Sequence, residues 1–385
     1  MIKTFVAFTE EIDDAEAAVS ELLAQLDPEH NFLAHSLGIV HCFSDFADGG
    51  MIRVISEKFP FDVVGSTTLS LAAPGVISRM GLTLTVLTSD TVSFVTGVSA
   101  PVGDEADGPV TELCRRLIDP LPQKPALLLP FIPFMYNVGG DEFIEKIDAL
   151  SGGIPAFGTL AISNEPDFSR SYTIRNGEYF PGALVLAALI GDVDPVFHSA
   201  SVTENNILKQ KAIVTGVERN VLKTVNNMPA VKYLESVGLA RNGKVEGIES
   251  MPLIFYLEDG SRLIRACIGA AADGGGVILC GAVPVNASLA LATMGLEDVV
   301  NSTGDKISEI LPAARGRGML MYSCAGRYWA QGVQLTAEQE RVAGSIGDQV
   351  PYHFVYSGGE IFPEFFDNGR VVNHLQNDSL IICIL

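Results

Sequence analysis

Between Asp13 and Leu26 apolar side chains recur every third or fourth position, at Ala15, Ala18, Val19, Leu22, Leu23 and Leu26. That spacing predicts a helix with one buried face behind an acidic start. The pattern then shortens into a strand from Gly38 to Phe43, a helix from Gly50 to Phe59, a strand from Phe61 to Gly65, a loop, and strands from Gly81 to Thr88 and Val92 to Val98. The same order returns at once: helix Val110 to Leu117, strand Pro125 to Phe131, helix Asp141 to Leu150, strand Ile154 to Phe157, then strands Ala183 to Ile190 and Pro195 to Ala200. Val64-Gly65-Ser66-Thr67 and Phe157-Gly158-Thr159-Leu160 occupy corresponding places. Two copies of one supersecondary unit predict a single pseudo-symmetric domain over residues 1–207.

Periodicity lapses between Glu204 and Gln210, and the pattern that resumes is different. Ala212 to Val217 and Val221 to Val225 read as a hairpin, and Pro229 opens a helix, where proline suits a first turn. Strands Pro252 to Leu257 and Arg262 to Ile268 flank Asp259-Gly260, and Val277 to Val283 follows Asp273-Gly274. Aspartate-glycine pairs between apolar runs signal hairpins, so this stretch is an antiparallel meander. The tail returns to the earlier theme with helix Leu296 to Leu311, strand Met319 to Tyr322, helix Thr336 to Ile346, strand Tyr352 to Tyr356 and strand Leu380 to Ile384. Thr336-Ala337-Glu338-Gln339 has the form of a capping box, and Gly347 that of a helix stop. The predicted fold is mixed α/β (α+β), with internally repeated sheet layers covered by helices in two packed domains, 1–207 and 208–385.

Composition narrows the function. A chain of 385 residues is long enough for more than one core. A formal charge of −21 repels phosphate backbones and anionic lipid, which argues against nucleic acid and membrane surfaces as partners. Mean hydropathy is +0.30, yet the most apolar runs, Ala126 to Tyr136 and Ala183 to Ile190, are too short to span a bilayer and read as buried strands. The six cysteines lie apart without Cys-x-x-Cys spacing, and the histidines form no ligand motif. The expectation is a reducing compartment, no metal and no cofactor. The N-terminus lacks the apolar run of a secretion signal, so a cytoplasmic location is expected.

Polar residues at predicted strand ends supply the candidate chemistry. Ser323-Cys324-Ala325-Gly326-Arg327 ends one strand, Gly358-Gly359-Glu360 ends the next, and Asn377-Asp378-Ser379 precedes the last. Arg327 can grip a carboxylate in two-pronged fashion, or it can hold two turns together by pairing with Glu360 or Glu338. Glu360 can receive an ammonium group or pair with Arg327. Asn377 can bind ligand or cap its turn. Ser66 and Thr67 follow Gly65, where backbone amides and hydroxyls can surround an anion or satisfy their own loop. Cys324, with His353 and His374 elsewhere in the tail, can be a thiolate nucleophile or a small buried hydrophobe, and the second reading is preferred. Trp329 can pack under the turn or stack on a ligand.

These short motifs, in this order, resemble the FIST family. The family's pattern is roughly Ser-Cys-x-Gly-Arg, then Gly-Glu-Ile, then Asn-x-Thr, and here the final position is Ser379. Asp62 to Thr67 resembles its Gly-x-Ser-Thr element, and Ile154 to Asn164 its second glycine element, with Phe157 and Leu160-Ala161 departing from the usual Gly-Gly-x-Ala. Val214 to Leu222 and Met228 to Leu234 resemble its hairpin and Pro-Ala-x-x-x-Tyr helix. The resemblance implies a sensory protein of signal transduction that binds a small polar metabolite, amino acids among the candidates, and acts through a separate output protein. Ligand-binding positions are then Arg327, Glu360, Asn377, Ser323, Cys324, Ser66 and Thr67, with no catalytic residue assigned. The alternatives are a cysteine-dependent enzyme using Cys324 and a scaffold without a ligand.

Overall fold

The computed structural model describes residues 1–245, 251–257 and 260–385. Three of its sheets share one plan. In the first, edge strand Lys3–Thr9 lies antiparallel to Leu82–Ser89, which lies antiparallel to His35–Cys42, which runs parallel to Val63–Thr67. Ser93–Val98, Val185–Ile190, Leu127–Ile132 and Gly158–Leu160 repeat that order in the second. Val196–Ala200, Leu380–Ile384, Met319–Cys324 and Tyr352–Ser357 repeat it in the third. Each sheet is completed by a hairpin from a different repeat. The first receives Thr173–Arg175 and Glu178–Phe180, the second receives Glu360–Phe365 and Val371–Gln376, and the third receives Leu71–Ala73 and Val76–Ser78. The exchange is cyclic, so three copies of one unit close on one another with pseudo-threefold topology.

Burial explains why the strands are apolar on both faces. Their inner faces, among them Ile39, Val64, Leu129, Phe131, Tyr322, Val355 and Ile381, meet in one shared core. Each outer face is covered by its own helices: Ala15–Leu26 and Met51–Glu57, Asp107–Leu117 and Gly140–Ser151, Leu296–Ala314 and Ala337–Ile346. The corresponding glycines Gly65 and Gly158 show why the repeat was visible in sequence. A Cβ at Gly65 would sit 1.7 Å from Val40 O, and one at Gly158 would sit 2.0 Å from Pro130 O, so neither parallel pair closes with a larger residue.

Between the first and second strands of the third repeat the chain inserts a curled half-barrel sheet. Its long strand Ile207–Glu218 pairs with both Val221–Val225 and Ser288–Ala292, with an irregularity at Gly216, and the helix Ala230–Ser236 packs into its core. The insertion is fastened to the second and third repeats. Ala266 N donates to Asn377 Oδ1 at 3.3 Å, Arg265 Nη1 to Leu375 O at 2.7 Å, and Asn220 Nδ2 to Tyr136 O at 3.3 Å.

Several local expectations are corrected. Lys3–Thr9 is a strand that the sequence reading did not assign, and the predicted loop after Gly65 holds the exchanged hairpin Leu71–Ala73 and Val76–Ser78. The strand expected at Ile154 to Phe157 lies later, at Gly158–Leu160, with only a bridge at Ala156 before it. The capping box at Thr336 does not form, because Glu338 and Gln339 turn inward to Arg327 and Ser70 while Thr336 Oγ1 bonds Glu340. Gly347 does end that helix, at φ 55° with its N–H on Ala343 O. Asp259, half of one expected turn, lies outside the described residues.

Candidate functional site

A cleft of about 490 Å³ opens where the second and third repeats meet beneath the inserted sheet. It lies at the carboxyl ends of both parallel strand pairs: Phe134 and Tyr136 follow Leu127–Ile132, Ile162 to Phe168 follow Gly158–Leu160, Cys324 to Trp329 follow one strand of the third sheet, and Gly358 follows the other. Open α/β sheets commonly bind ligands at such ends. Cys267 and Cys280 come from the insertion, and Asp378 from the turn before the final strand. Four aromatic rings run along one wall: Tyr136 to Phe134 at 5.3 Å, Phe134 to Phe168 at 4.9 Å, and Phe168 to Trp329 at 6.2 Å between centroids.

Asp378 is the polar centre of the cleft. Its φ of 54° is left-handed, a conformation aspartate tolerates better than most residues, and its side chain is 2% exposed. Oδ1 has no hydrogen-bond partner. A Cβ at Gly326 would lie 2.0 Å from that oxygen, so the glycine of the Ser-Cys-x-Gly-Arg turn is what lets the carboxyl approach. Burial raises the carboxyl to about 7 even though Arg327 pulls the other way. A second cleft carboxylate, Glu165, bonds Arg170 through Oε1 at 3.0 Å, while its buried Oε2 has no partner.

Behind this surface lies a closed polar layer. Arg327 is 1% exposed, and its Nη2 donates to Glu338 Oε1 at 2.7 Å, Thr303 Oγ1 at 2.7 Å and Val299 O at 3.2 Å. Its Nε donates to the same Glu338 oxygen at 3.0 Å, and Ser323 Oγ bonds Glu338 Oε2 at 3.0 Å. Glu360 is fully buried and accepts from Ser357 Oγ at 2.7 Å and Ser379 Oγ at 2.9 Å. Burial still holds it well above the carboxylate range, and the charge of Asp378 adds to that. Asn377 Oδ1 takes the Ala266 amide, and its buried Nδ2 has no partner.

The structure thus brings Cys324 to the cleft and places Ser323, Arg327, Glu360 and Asn377 in the layer that shapes it. Arg327 is engaged by Glu338, one of the two partners foreseen, and Glu360 by serines. Thr67 touches the same region only through its backbone, accepting from Ile162 N at 3.4 Å. Ser66 faces the shared core, where its Oγ lies 3.2 Å from His41 Nδ1. Sequence reasoning missed Asp378 although it named both neighbours, because an aspartate in a polar turn carries no mark of burial. It also missed Phe134, Tyr136 and Phe168, whose apolar character reads as core.

The thiol of Cys324 is 2% exposed and held well above its ordinary value, first by burial and then by the charges of Glu360 and Asp378. His353 bonds Thr85 Oγ1 at 2.8 Å through Nδ1, and His374 lies 3.1 Å from Glu364, so neither is engaged as a base for it. Thiolate chemistry requires the opposite environment. Iodoacetamide is therefore expected to alkylate Cys324 no faster than an ordinary thiol at neutral pH, as read by peptide mass spectrometry. Rapid selective labelling would revive the nucleophile reading. Among the described residues no group of three or more His, Cys, Asp or Glu side chains is placed to hold a metal ion. No helix among them is long and apolar enough to cross a membrane.

The FIST N domain matches residues 36–228 and the FIST C domain matches residues 220–363, and the chain belongs to the FIST family. FIST domains are generally sensory domains of signal transduction. No curated protein matches the chain.

Proposed function

We propose that this protein is a sensor that binds a small polar metabolite carrying a protonated amine, amino acids among the candidates, in the cleft between the second and third repeats. The observation that carries the reading is Asp378 Oδ1, an acid oxygen buried in the cleft wall without a hydrogen-bond partner. Buried polar atoms are almost always paired, so an orphan in a roomy cavity marks a place for a partner from outside. Cys324, Gly326 and Trp329 line the same space, while Ser323, Arg327, Glu360 and Asn377 fix its shape from behind. Occupancy in turn reaches a separate output protein in the cytoplasm, as the sensory character of the family supports.

Broken pseudosymmetry supports the location. The corresponding turns before Leu82–Ser89 and Val185–Ile190 read Arg79-Met80-Gly81 and Gly182-Ala183-Leu184, with no carboxyl group, and the inserted sheet contributes Ala266, Cys267, Ile268 and Cys280 to the cleft beside Asp378. Departures from a repeated plan collect at functional sites. The test is a screen of amino acids, amines and small carboxylates read by melting temperature and by the emission of Trp329, the only tryptophan in the chain and a cleft residue. At least one amine is expected to raise the melting temperature and shift the emission, and to change which protein co-purifies from native lysate. If no compound moves either signal, the scaffold reading replaces this one.

A further inference from the structure

The charge pattern of the cleft goes further than its existence. Its walls carry two carboxyl groups, Asp378 and Glu165, and among the described residues no lysine, arginine or histidine lines it. Of the arginines around it, Arg170 is ion-paired to Glu165 at 3.0 Å, and Arg327 has its Nε and Nη2 committed to Glu338, Thr303, Ser323 and Val299. Each of the two carboxyls has one buried oxygen without a partner. Behind Asp378 stands the buried carboxyl of Glu360, and the charges of both acids act on Cys324 and Cys280, whose thiols burial already raises. The same lining holds the ring series Tyr136, Phe134, Phe168 and Trp329, whose π faces favour a cation over an anion.

Resting on the reading above, we propose that the cleft selects a monocationic amine with an aromatic or apolar body, and disfavours the carboxylate that a free amino acid would bring with it. The ammonium takes the unpartnered oxygens of Asp378 and Glu165, and the body lies along the four rings. A zwitterion fits only at its ammonium end, because its carboxylate meets wall carboxyls, while Arg170 is already ion-paired to Glu165 and stands outside the lining. An orphan acid oxygen and an aromatic wall are independent observations, and both call for the same ligand. The ionised form of Asp378 is the one an ammonium prefers, while burial, raising the carboxyl to about 7, leaves a sizeable part of the empty sites protonated near neutral pH, so binding should release a fraction of a proton to buffer.

The test uses three compounds with one body: phenethylamine, phenylalanine and 3-phenylpropionate, titrated into the full chain by calorimetry and Trp329 emission. Phenethylamine is expected to bind at least about tenfold tighter than phenylalanine, a difference of about 1.4 kcal/mol, and 3-phenylpropionate not at all. Titration in buffers of different ionisation enthalpy should show proton release that vanishes in Asp378→Asn. That variant and Glu165→Gln should each weaken phenethylamine, and a melting curve checks that both remain folded. If 3-phenylpropionate or phenylalanine binds as well as the amine, the charge assignment is overturned while the cleft stands. If no member of the series binds but another compound of the screen shifts Trp329, the inference fails and the sensor reading survives. If nothing shifts Trp329, both fail.

Discussion

Arg327→Met is expected to lower unfolding free energy by about 3 to 5 kcal/mol, the usual consequence of removing one partner of a buried ion pair. Arg327 and Glu338 are 1% and 0% exposed, and the pair ties the turn after Met319–Cys324 to the helices Ala337–Ile346 and Leu296–Ala314. Methionine retains much of the stem but leaves the Glu338 carboxylate inside the fold with neutral partners such as Thr303, Ser323 and the Tyr356 hydroxyl, and no counter-charge. Surface pairs such as Lys58 with Glu16 offer the contrast, since there water replaces a lost partner at little cost. Urea denaturation of the wild type, Arg327→Met, Glu338→Met and the double variant measures this. The double variant should recover part of the loss, because no uncompensated charge is left behind. A cost below about 0.5 kcal/mol for Arg327→Met, in the range of ordinary surface changes, would show that the pair does not hold the turn. A retained fold that loses amine binding more than stability would return Arg327 to the ligand.

What could be read from the chain beforehand follows from how locally each feature is encoded. Helices such as Ala15–Leu26 and Gly140–Ser151 announce themselves by periodicity, and the glycines at 65 and 158 by the close strand approach they permit. The exchanged hairpins do not, since Leu71–Ala73 and Val76–Ser78 gain partners only on a sheet built nearly three hundred residues later, at Phe354 and Val355. Lys3–Thr9 is likewise a strand by virtue of a distant partner, Leu82–Ser89. The polar turn Ser323 to Arg327 was conspicuous because a guanidinium rarely stands in an apolar stretch. Which side of that turn meets solvent depends on Glu338, a helix residue whose local pattern pointed to a capping box instead. Asp378 escaped for the complementary reason: its neighbours in sequence are ordinary turn residues, and only the inserted sheet and Gly326 make its surroundings dry.

Replacing Asp378 with asparagine should stabilise the empty protein, and more so as pH rises. The carboxyl is raised to about 7 in the fold from 3.8, so its contribution is fully present below about pH 4 and is lost as pH climbs through 7. Three pH units of displacement correspond to about 4 kcal/mol. The wild type alone will not display this plainly. His41, lowered to about 3 by burial, and His353, lowered likewise beside it, weaken the fold in the opposite direction, as the unfolded chain takes up protons below about 6.5. Over the window from about pH 4 to 6.5 the histidines and the raised carboxyls of Asp378 and Glu360 therefore oppose each other. Subtracting wild type from Asp378→Asn cancels every shared term and leaves the one carboxyl. Asparagine keeps the shape and tolerates the left-handed backbone at this position. Urea denaturation should find the two proteins nearly equal near pH 4 and separated by about 4 kcal/mol near pH 8. A gap that does not change with pH would mean that the carboxyl titrates as an ordinary one and that its burial is incomplete. A gap that grows as expected measures how strongly the empty cleft disfavours its own acid, and an ammonium placed on that oxygen should then stabilise the wild type more at pH 8 than at pH 5 while leaving the asparagine variant almost unmoved.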